Sequence, residues 1–232
     1  MIGPRPGRAT CFMVGAIAVC WFLYVPIHEL LHAYGCLLTG GTVTELQIDA
    51  KYGGTILASY FPFVVSGSDY AGRLSGFDTG GNDGVYLATV FMPFLLSLFI
   101  GVPLIKACAG RRRPILFGMA VVLGLAPFYN LPGDYHEMGS IMVTRVLTWF
   151  NGGGPIVYES VRSDDVFKLV ADIFRRDDDL GLTSAGRKAI ALILVSVSLA
   201  VAILLAFVTY ALGDLFARLV TRRNAGRACR PA

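Results

Sequence analysis

Long apolar runs alternate with short polar stretches along this chain. A helix rises 1.5 Å per residue, so a hydrocarbon core about 30 Å thick needs roughly 20 apolar residues to be crossed. Four runs have about this length: residues 11–38, 85–106, 114–131 and 188–212. The pattern therefore predicts an all-α polytopic membrane protein, with residues 1–232 forming a single membrane-embedded domain.

The period of the pattern changes directly after the first run. Gly40-Gly41 ends it, and residues 42–49, TVTELQID, alternate between polar and apolar positions. After the turn residues AKYGG, residues 55–64 are rich in β-branched and aromatic side chains. Residues 42–64 are thus predicted to form a β-hairpin, whose edge could bind an extended peptide. Residues 66–84 are rich in Gly, Ser and Asp and are predicted to be a mobile polar loop that could act as a lid.

A second polar region, residues 139–187, precedes the last apolar run. Its first part, residues 139–150, is apolar enough for an interfacial helix. Within residues 163–176, one helical face carries Val166, Val170, Ile173 and Phe174. With Ser163 as an N-terminal cap, this segment is predicted to be an amphipathic helix in an extracytoplasmic loop.

Composition and charge place the chain in a membrane and orient it. Apolar residues make up 55% of the sequence and the mean hydropathy is +0.62, which is too high for an ordinary soluble domain. Segments 1–10, 106–113 and 214–232 hold eleven Lys and Arg but one acidic residue, whereas acidic residues outnumber basic ones in segments 39–84 and 131–188. The positive-inside rule then predicts both termini in the cytoplasm. The expected location is the cytoplasmic (inner) membrane. Topology accounts for the basic clusters, so no nucleic-acid partner is expected.

Residues 28–32 read His-Glu-Leu-Leu-His and lie near the end of the first apolar run. Residues four apart lie on the same face of a helix, so His28 and His32 can offer two imidazoles to one zinc ion. Glu29 lies about a quarter turn around the helix and can act as general base toward water at the metal. Ionisable groups on a membrane helix cost free energy and usually mark function. His28 lies roughly 25 Å along the helix from Cys11, so the site is predicted toward the outer leaflet.

A hydrolytic zinc site needs a third protein ligand and one open position. The third apolar run ends in a polar cluster, Asn130 to Glu137, which the predicted topology places on the same outer side as His28 and His32. Asp134, His136 and Glu137 are the candidates in this cluster. The residues alone leave the choice among them open.

These motifs together resemble a known family. HELLHA on a first core helix, a Gly-Gly β-hairpin after it and an Asn-x-Pro-x-Asp cluster at a third helix are similar to the site-2 protease family of intramembrane zinc metalloproteases. The resemblance covers about residues 20–140. It implies that His28, His32 and Asp134 bind Zn²⁺, that Glu29 is the catalytic base and that Asn130 contacts substrate.

The expected function is hydrolysis of a peptide bond in a membrane-embedded protein substrate. Two alternatives use the same residues differently. One is a zinc-dependent hydrolase of lipid amides or esters, and the other is a non-catalytic homologue that binds a membrane partner. The lipid bilayer is an expected partner in each case, and the sequence predicts no oligomeric state.

Overall fold

The computed structural model describes residues 6–108, 113–151, 162–163, 165–175 and 185–228. Arg111 and Arg112 of the central basic segment lie outside these ranges. The protein is mostly helical with one small sheet. Its contacts form two compact units, Met1–Ala126 with Thr209–Ala232, and Pro127–Val208.

Helix α1, Pro6–Leu38, carries the HELLH motif in its last third. It forms because the run is apolar and uncharged from Thr10 up to the motif. The helix ends where predicted, since Gly40 adopts a left-handed φ of 98° and Gly41 N–H donates to the Cys36 carbonyl at 2.9 Å. Pro26 lies inside the helix.

The second apolar run, Asp83–Cys108, is one continuous span with irregular turns in the middle. It begins with α3, Asp83–Phe91, and ends with α4, Val102–Cys108, and between them lie a 3₁₀ turn, Met92–Phe94, and a π turn, Ser97–Gly101. Gly35 lets α1 approach α3 closely, because a Cβ there would meet the Ala88 carbonyl oxygen at 2.9 Å and Met92 Cβ at 2.8 Å.

Three helical segments of the described chain are long and apolar enough to cross a membrane: Gly7–Leu38, Asp83–Cys108 and Lys188–Thr221. The crossing predicted for residues 114–131 is not confirmed, and so neither is the total of four. Helix α5, Pro114–Gly124, stops after 11 residues, and a short helix α6, Ala126–Tyr129, follows. Pro127 lies inside this second helix, and it lacks the N–H that would continue the hydrogen bonding from α5.

A three-stranded sheet follows α1, with strand order β2-β1-β3. Strand β1, Thr42–Ile48, pairs in parallel with β2, Val64–Ser66, and antiparallel with β3, Gly72–Asp78. A 3₁₀ turn, Ala50–Tyr52, and a short helix α2, Gly54–Ala58, separate β1 from β2.

The prediction of a β-hairpin over residues 42–64 is therefore wrong in its second half. Leu57, Phe61 and Phe63 pack against the buried cluster of Ala33, Leu46, Ile48 and Val64. The aromatic residues of this stretch fill the space between sheet and helix instead of forming a long strand. The antiparallel partner of β1 is β3, which lies in the stretch that was predicted to be a mobile loop.

In the unit Pro127–Val208, a π turn, Leu131–Tyr135, follows α6 and continues into α7, His136–Asn151. Helix α8, Val166–Arg175, is amphipathic as predicted, but its cap differs: the Asp165 carboxylate, not Ser163, accepts the Lys168 N–H at 2.9 Å. Helix α9, Ala185–Ala228, extends beyond the predicted run 188–212. Gly139 of α7 lies directly against the Ser198 carbonyl of α9.

Candidate metal centre

The two histidines of the HELLH motif face each other across one turn of α1. Their Nε2 atoms lie 3.1 Å apart, and the rings are nearly perpendicular, with centroids 4.7 Å apart. Both side chains are 7% exposed. Two nitrogens bound to one tetrahedral zinc at about 2.0–2.1 Å each would lie about 3.3 Å apart. The observed separation therefore fits a shared metal ion.

The outer nitrogens of both rings have partners. His32 Nδ1 lies 2.9 Å from the carbonyl oxygen of Thr89, and His28 Nδ1 lies 2.8 Å from the hydroxyl of Tyr24. A carbonyl oxygen only accepts, so His32 Nδ1 carries the proton and the Nε2 of the neutral ring keeps its lone pair. His28 reaches the same state when its Nδ1 donates to Tyr24. Such hydrogen bonds at the far nitrogen are typical of histidines that ligate metals.

One side of the pair is apolar. The Phe94 ring meets the His28 ring edge-on with centroids 5.7 Å apart, and Phe94 is fully buried. The Thr89 hydroxyl donates to the Val85 carbonyl of its own helix at 2.8 Å. An apolar side chain beside the site lowers the local dielectric constant, which strengthens the attraction between a cation and its ligands.

Asp134 completes a group of three possible ligands. His28, His32 and Asp134 form a group that could hold a metal ion. The Asp134 side chain is half-buried. It belongs to the π turn Leu131–Tyr135, where Gly133 has non-helical angles of φ −107° and ψ −115°. Two imidazoles and one carboxylate suit zinc among several divalent cations.

His136 and Glu137 are not members of this group. His136 is fully buried and lies in a different contact, in which its Nδ1 donates to the Ser163 carbonyl at 3.2 Å. Its Nε2 has no hydrogen-bond partner among the described residues. Burial lowers the pKa of His136, so the ring stays neutral near pH 7. Of the three residues that the sequence left open, Asp134 is the one in the group that could hold a metal ion.

Glu29 is half-buried and lies against the beginning of β3. The Gly72 backbone is so close that a Cβ there would collide with Glu29 Cγ and approach Oε1 to 3.4 Å. A side chain at position 72 would therefore force the Glu29 side chain to shift. β3 is an edge strand, since within the described residues it pairs with β1 alone.

Asn130 precedes the π turn. Its backbone carbonyl accepts the N–H groups of Gly133 and Tyr135, each at 3.2 Å. These bonds help to hold the turn that contains Asp134. The substrate contact that the resemblance implies for Asn130 stays a prediction.

Sequence reasoning missed Tyr24, Thr89 and Gly72. Tyr24 was detectable, because it lies four residues before His28 and therefore on the same helical face. Thr89 contributes through its main chain, which any residue could supply, so no sequence signal marks it. Gly72 was one glycine among many in a polar stretch.

Comparisons of this chain with protein-family models, with curated proteins and with solved structures give no match.

Proposed function

We propose that this chain is an intramembrane zinc metalloprotease that hydrolyses peptide bonds of membrane-embedded substrates. The observation that carries the proposal is the pair of facing Nε2 atoms of His28 and His32, 3.1 Å apart, with Glu29 next to them in the chain. His28, His32 and Asp134 would hold the zinc. Zinc, when bound, supplies a Lewis acid that activates water and polarises a peptide carbonyl.

Glu29 is the general base in this proposal. Its carboxylate takes the proton of the attacking water and returns a proton to the leaving amine. As a general base, Glu29 must keep one carboxylate oxygen directed toward the metal. The close contact with the Gly72 backbone supports this role, since it limits the rotamers that the side chain can adopt.

The open edge of β3 is the proposed binding surface for substrate. A helical peptide bond is internally hydrogen-bonded and shielded, so it must be unwound before it can be attacked. An extended peptide can pair with an exposed strand through its main chain. A peptide on the free edge of β3 would run past Gly72 and hence past Glu29. The peptide-binding edge that the sequence predicts for the hairpin is therefore assigned to β3 in this proposal.

Ion pairs support the proposed topology. Lys106, near the end of the second span, binds the Asp214 carboxylate at 2.7 Å, and Arg218 binds it at 2.6 Å. These charges lie at one end of the spans Asp83–Cys108 and Lys188–Thr221. At the other end of the second span, Thr89 contacts His32. By the positive-inside rule the basic end faces the cytoplasm, and the HELLH site lies toward the outer leaflet of a cytoplasmic membrane.

The test is a cleavage assay with the full chain in phosphatidylcholine vesicles supplied with zinc. A fluorogenic transmembrane peptide is one substrate, and labelled lipid amides and esters are the others. We expect cleavage of the peptide alone, lost on chelation and in a Glu29→Gln control. Hydrolysis of the lipids with the peptide intact would instead favour a lipid hydrolase. Stoichiometric zinc without any hydrolysis would favour a non-catalytic binding protein.

A further inference from the structure

Helix α8 has an exposed apolar stripe in addition to its buried face. The buried face consists of Val166, Leu169 and Ile173. Phe167, Ala171 and Phe174 follow the spacing i, i+4, i+7 and form a second stripe beside it. Phe167 is 73% exposed and Phe174 is 64% exposed. A helix on a water-facing surface would carry polar side chains at these positions.

The third side of α8 is polar. Lys168 is exposed and Asp172 is partly exposed, and they lie four residues apart. The helix therefore presents a buried face, an aromatic stripe and a charged stripe in turn around its axis. This order is typical of helices that lie in the interface of a bilayer, where the aromatic stripe enters the acyl region.

The packing of α8 gives its level along a membrane span. Its buried face forms one cluster with Ala191, Leu194 and Val195 of α9. These residues follow Lys188, the first residue of the span Lys188–Thr221, by three to seven positions, or about 5–10 Å of helix. Interfacial helices bury their apolar side about 5–10 Å into the boundary between headgroups and acyl chains. Helix α8 therefore packs beside the first turns of this span.

Neighbouring side chains at the same level are also apolar and exposed. Val143 and Leu147 of α7 pack against the cluster, and directly after them Trp149 and Phe150 are 79% and 72% exposed. On α9, Ile190 and Ile193 are exposed beside the cluster residues. Aromatic residues concentrate at the membrane interface because their rings suit the headgroup level.

We propose that α8 lies in the headgroup–acyl boundary of the bilayer, with Phe167 and Phe174 inserted among acyl chains and Lys168 directed toward the headgroups. This inference rests on the membrane span of α9 and is independent of the metal chemistry. It has a structural consequence for the site, because α8 contacts the π turn that contains Asp134. The Ser163 carbonyl just before α8 also binds His136, the first residue of α7. Contacts between lipid and α8 would therefore also stabilise the π turn and the beginning of α7.

Single tryptophans report the position of each stripe. Replacing the two native tryptophans, Trp21→Phe and Trp149→Phe, gives a dark background. Phe167→Trp and Phe174→Trp then place the fluorophore in the aromatic stripe, and Lys168→Trp is the matched control on the polar stripe. Each full-length variant is placed in phosphatidylcholine vesicles with or without bromine on the acyl chains, and acrylamide is the aqueous quencher.

We expect brominated lipid to remove more than about half of the fluorescence at positions 167 and 174, since bromine and fluorophore share the acyl region. Acrylamide should leave these two positions unaffected and quench position 168. Equal acrylamide quenching at positions 167 and 168 would overturn the proposal, because the stripe would then face water. Protection of positions 167 and 174 from both quenchers would also overturn it, because a protein surface, such as a second copy of the chain, would then cover them.

Discussion

The Nε2 atoms of His28 and His32 lie 3.1 Å apart while both Nδ1 atoms have other partners. Two lone pairs at this distance repel each other unless a proton or a cation lies between them. Without metal the pair is stable when one Nε2 carries a proton and donates it to the other. Because His32 Nε2 is the acceptor in that pair, metal binding requires the His28 proton to move from Nε2 to Nδ1, where it is donated to the Tyr24 hydroxyl.

The first prediction concerns the identity of the ligands. Purified wild type supplied with zinc should retain about one zinc per chain, as one closed ligand set binds one ion. His28→Ala, His32→Ala and Asp134→Ala should each lose it, whereas His136→Ala and Glu137→Ala should keep it. Elemental analysis of the detergent-purified variants measures this. Retention of zinc by Asp134→Ala together with its loss in His136→Ala would reassign the third ligand.

The second prediction separates the base from the ligands. Glu29→Gln keeps the size of the side chain but removes its ability to accept a proton. Zinc content should be unchanged, while the rate of peptide cleavage should fall by about 10²–10⁴-fold, the usual contribution of a general base. Single-turnover kinetics on the transmembrane peptide would measure the loss. Full activity in this variant would remove Glu29 from the mechanism.

The sequence was informative where one residue type at one spacing determines the geometry. His28 and His32 are four apart on a helix, and the helix alone brings their rings together. The first and second spans were predicted within a few residues because long apolar runs have few alternatives in a membrane. Gly40 ended α1 as predicted, because it supplies the left-handed conformation found there.

Long-range packing decided what the sequence could not. Strand β3 was missed because Gly72, Ser75 and Gly76 have low strand propensity, and the strand exists through its pairing with β1. Residues 55–64 look like a strand, yet Phe61 and Phe63 are used to fill the core. The span 114–131 was overestimated because its hydropathy continues past Gly124, where the helix ends. The Thr89 carbonyl lies 57 residues from His32 in the chain, so only the folded structure relates them.

The third prediction tests the hydrogen bond behind His28. Tyr24→Phe removes the hydroxyl that lies 2.8 Å from His28 Nδ1 and keeps the ring. Loss of the group that hydrogen-bonds to a ligating histidine typically weakens metal binding by about 10–100-fold. We therefore expect the zinc affinity of Tyr24→Phe to decrease by about that factor. Competition with a fluorescent zinc chelator measures it. Tyr34→Phe, on the same helix and exposed, is the control and should bind zinc like wild type.

The fourth prediction concerns the contact between β3 and Glu29. In Gly72→Ala the new methyl group collides with the Glu29 side chain and should displace it, so cleavage should fall while zinc content is retained. Gly76→Ala is the matched control. Its methyl group would crowd Glu45 and Thr44 in the same sheet, away from Glu29. An equal loss of activity in both variants would mean that β3 acts only through the stability of the sheet.

The fifth prediction concerns the charged end of the spans. Asp214→Asn keeps the shape of the side chain but removes the charge that attracts Lys106 and Arg218. The Asp214 side chain is 15% exposed, so its loss leaves two cations near each other with less solvent to screen them. We expect a lower midpoint of thermal unfolding in detergent, and partial recovery when Lys106→Met is added. Asp49→Asn should have less effect, because its partner Lys51 is 76% exposed. If the double variant were no more stable than Asp214→Asn alone, the repulsion between Lys106 and Arg218 would not be the cause of the lower midpoint.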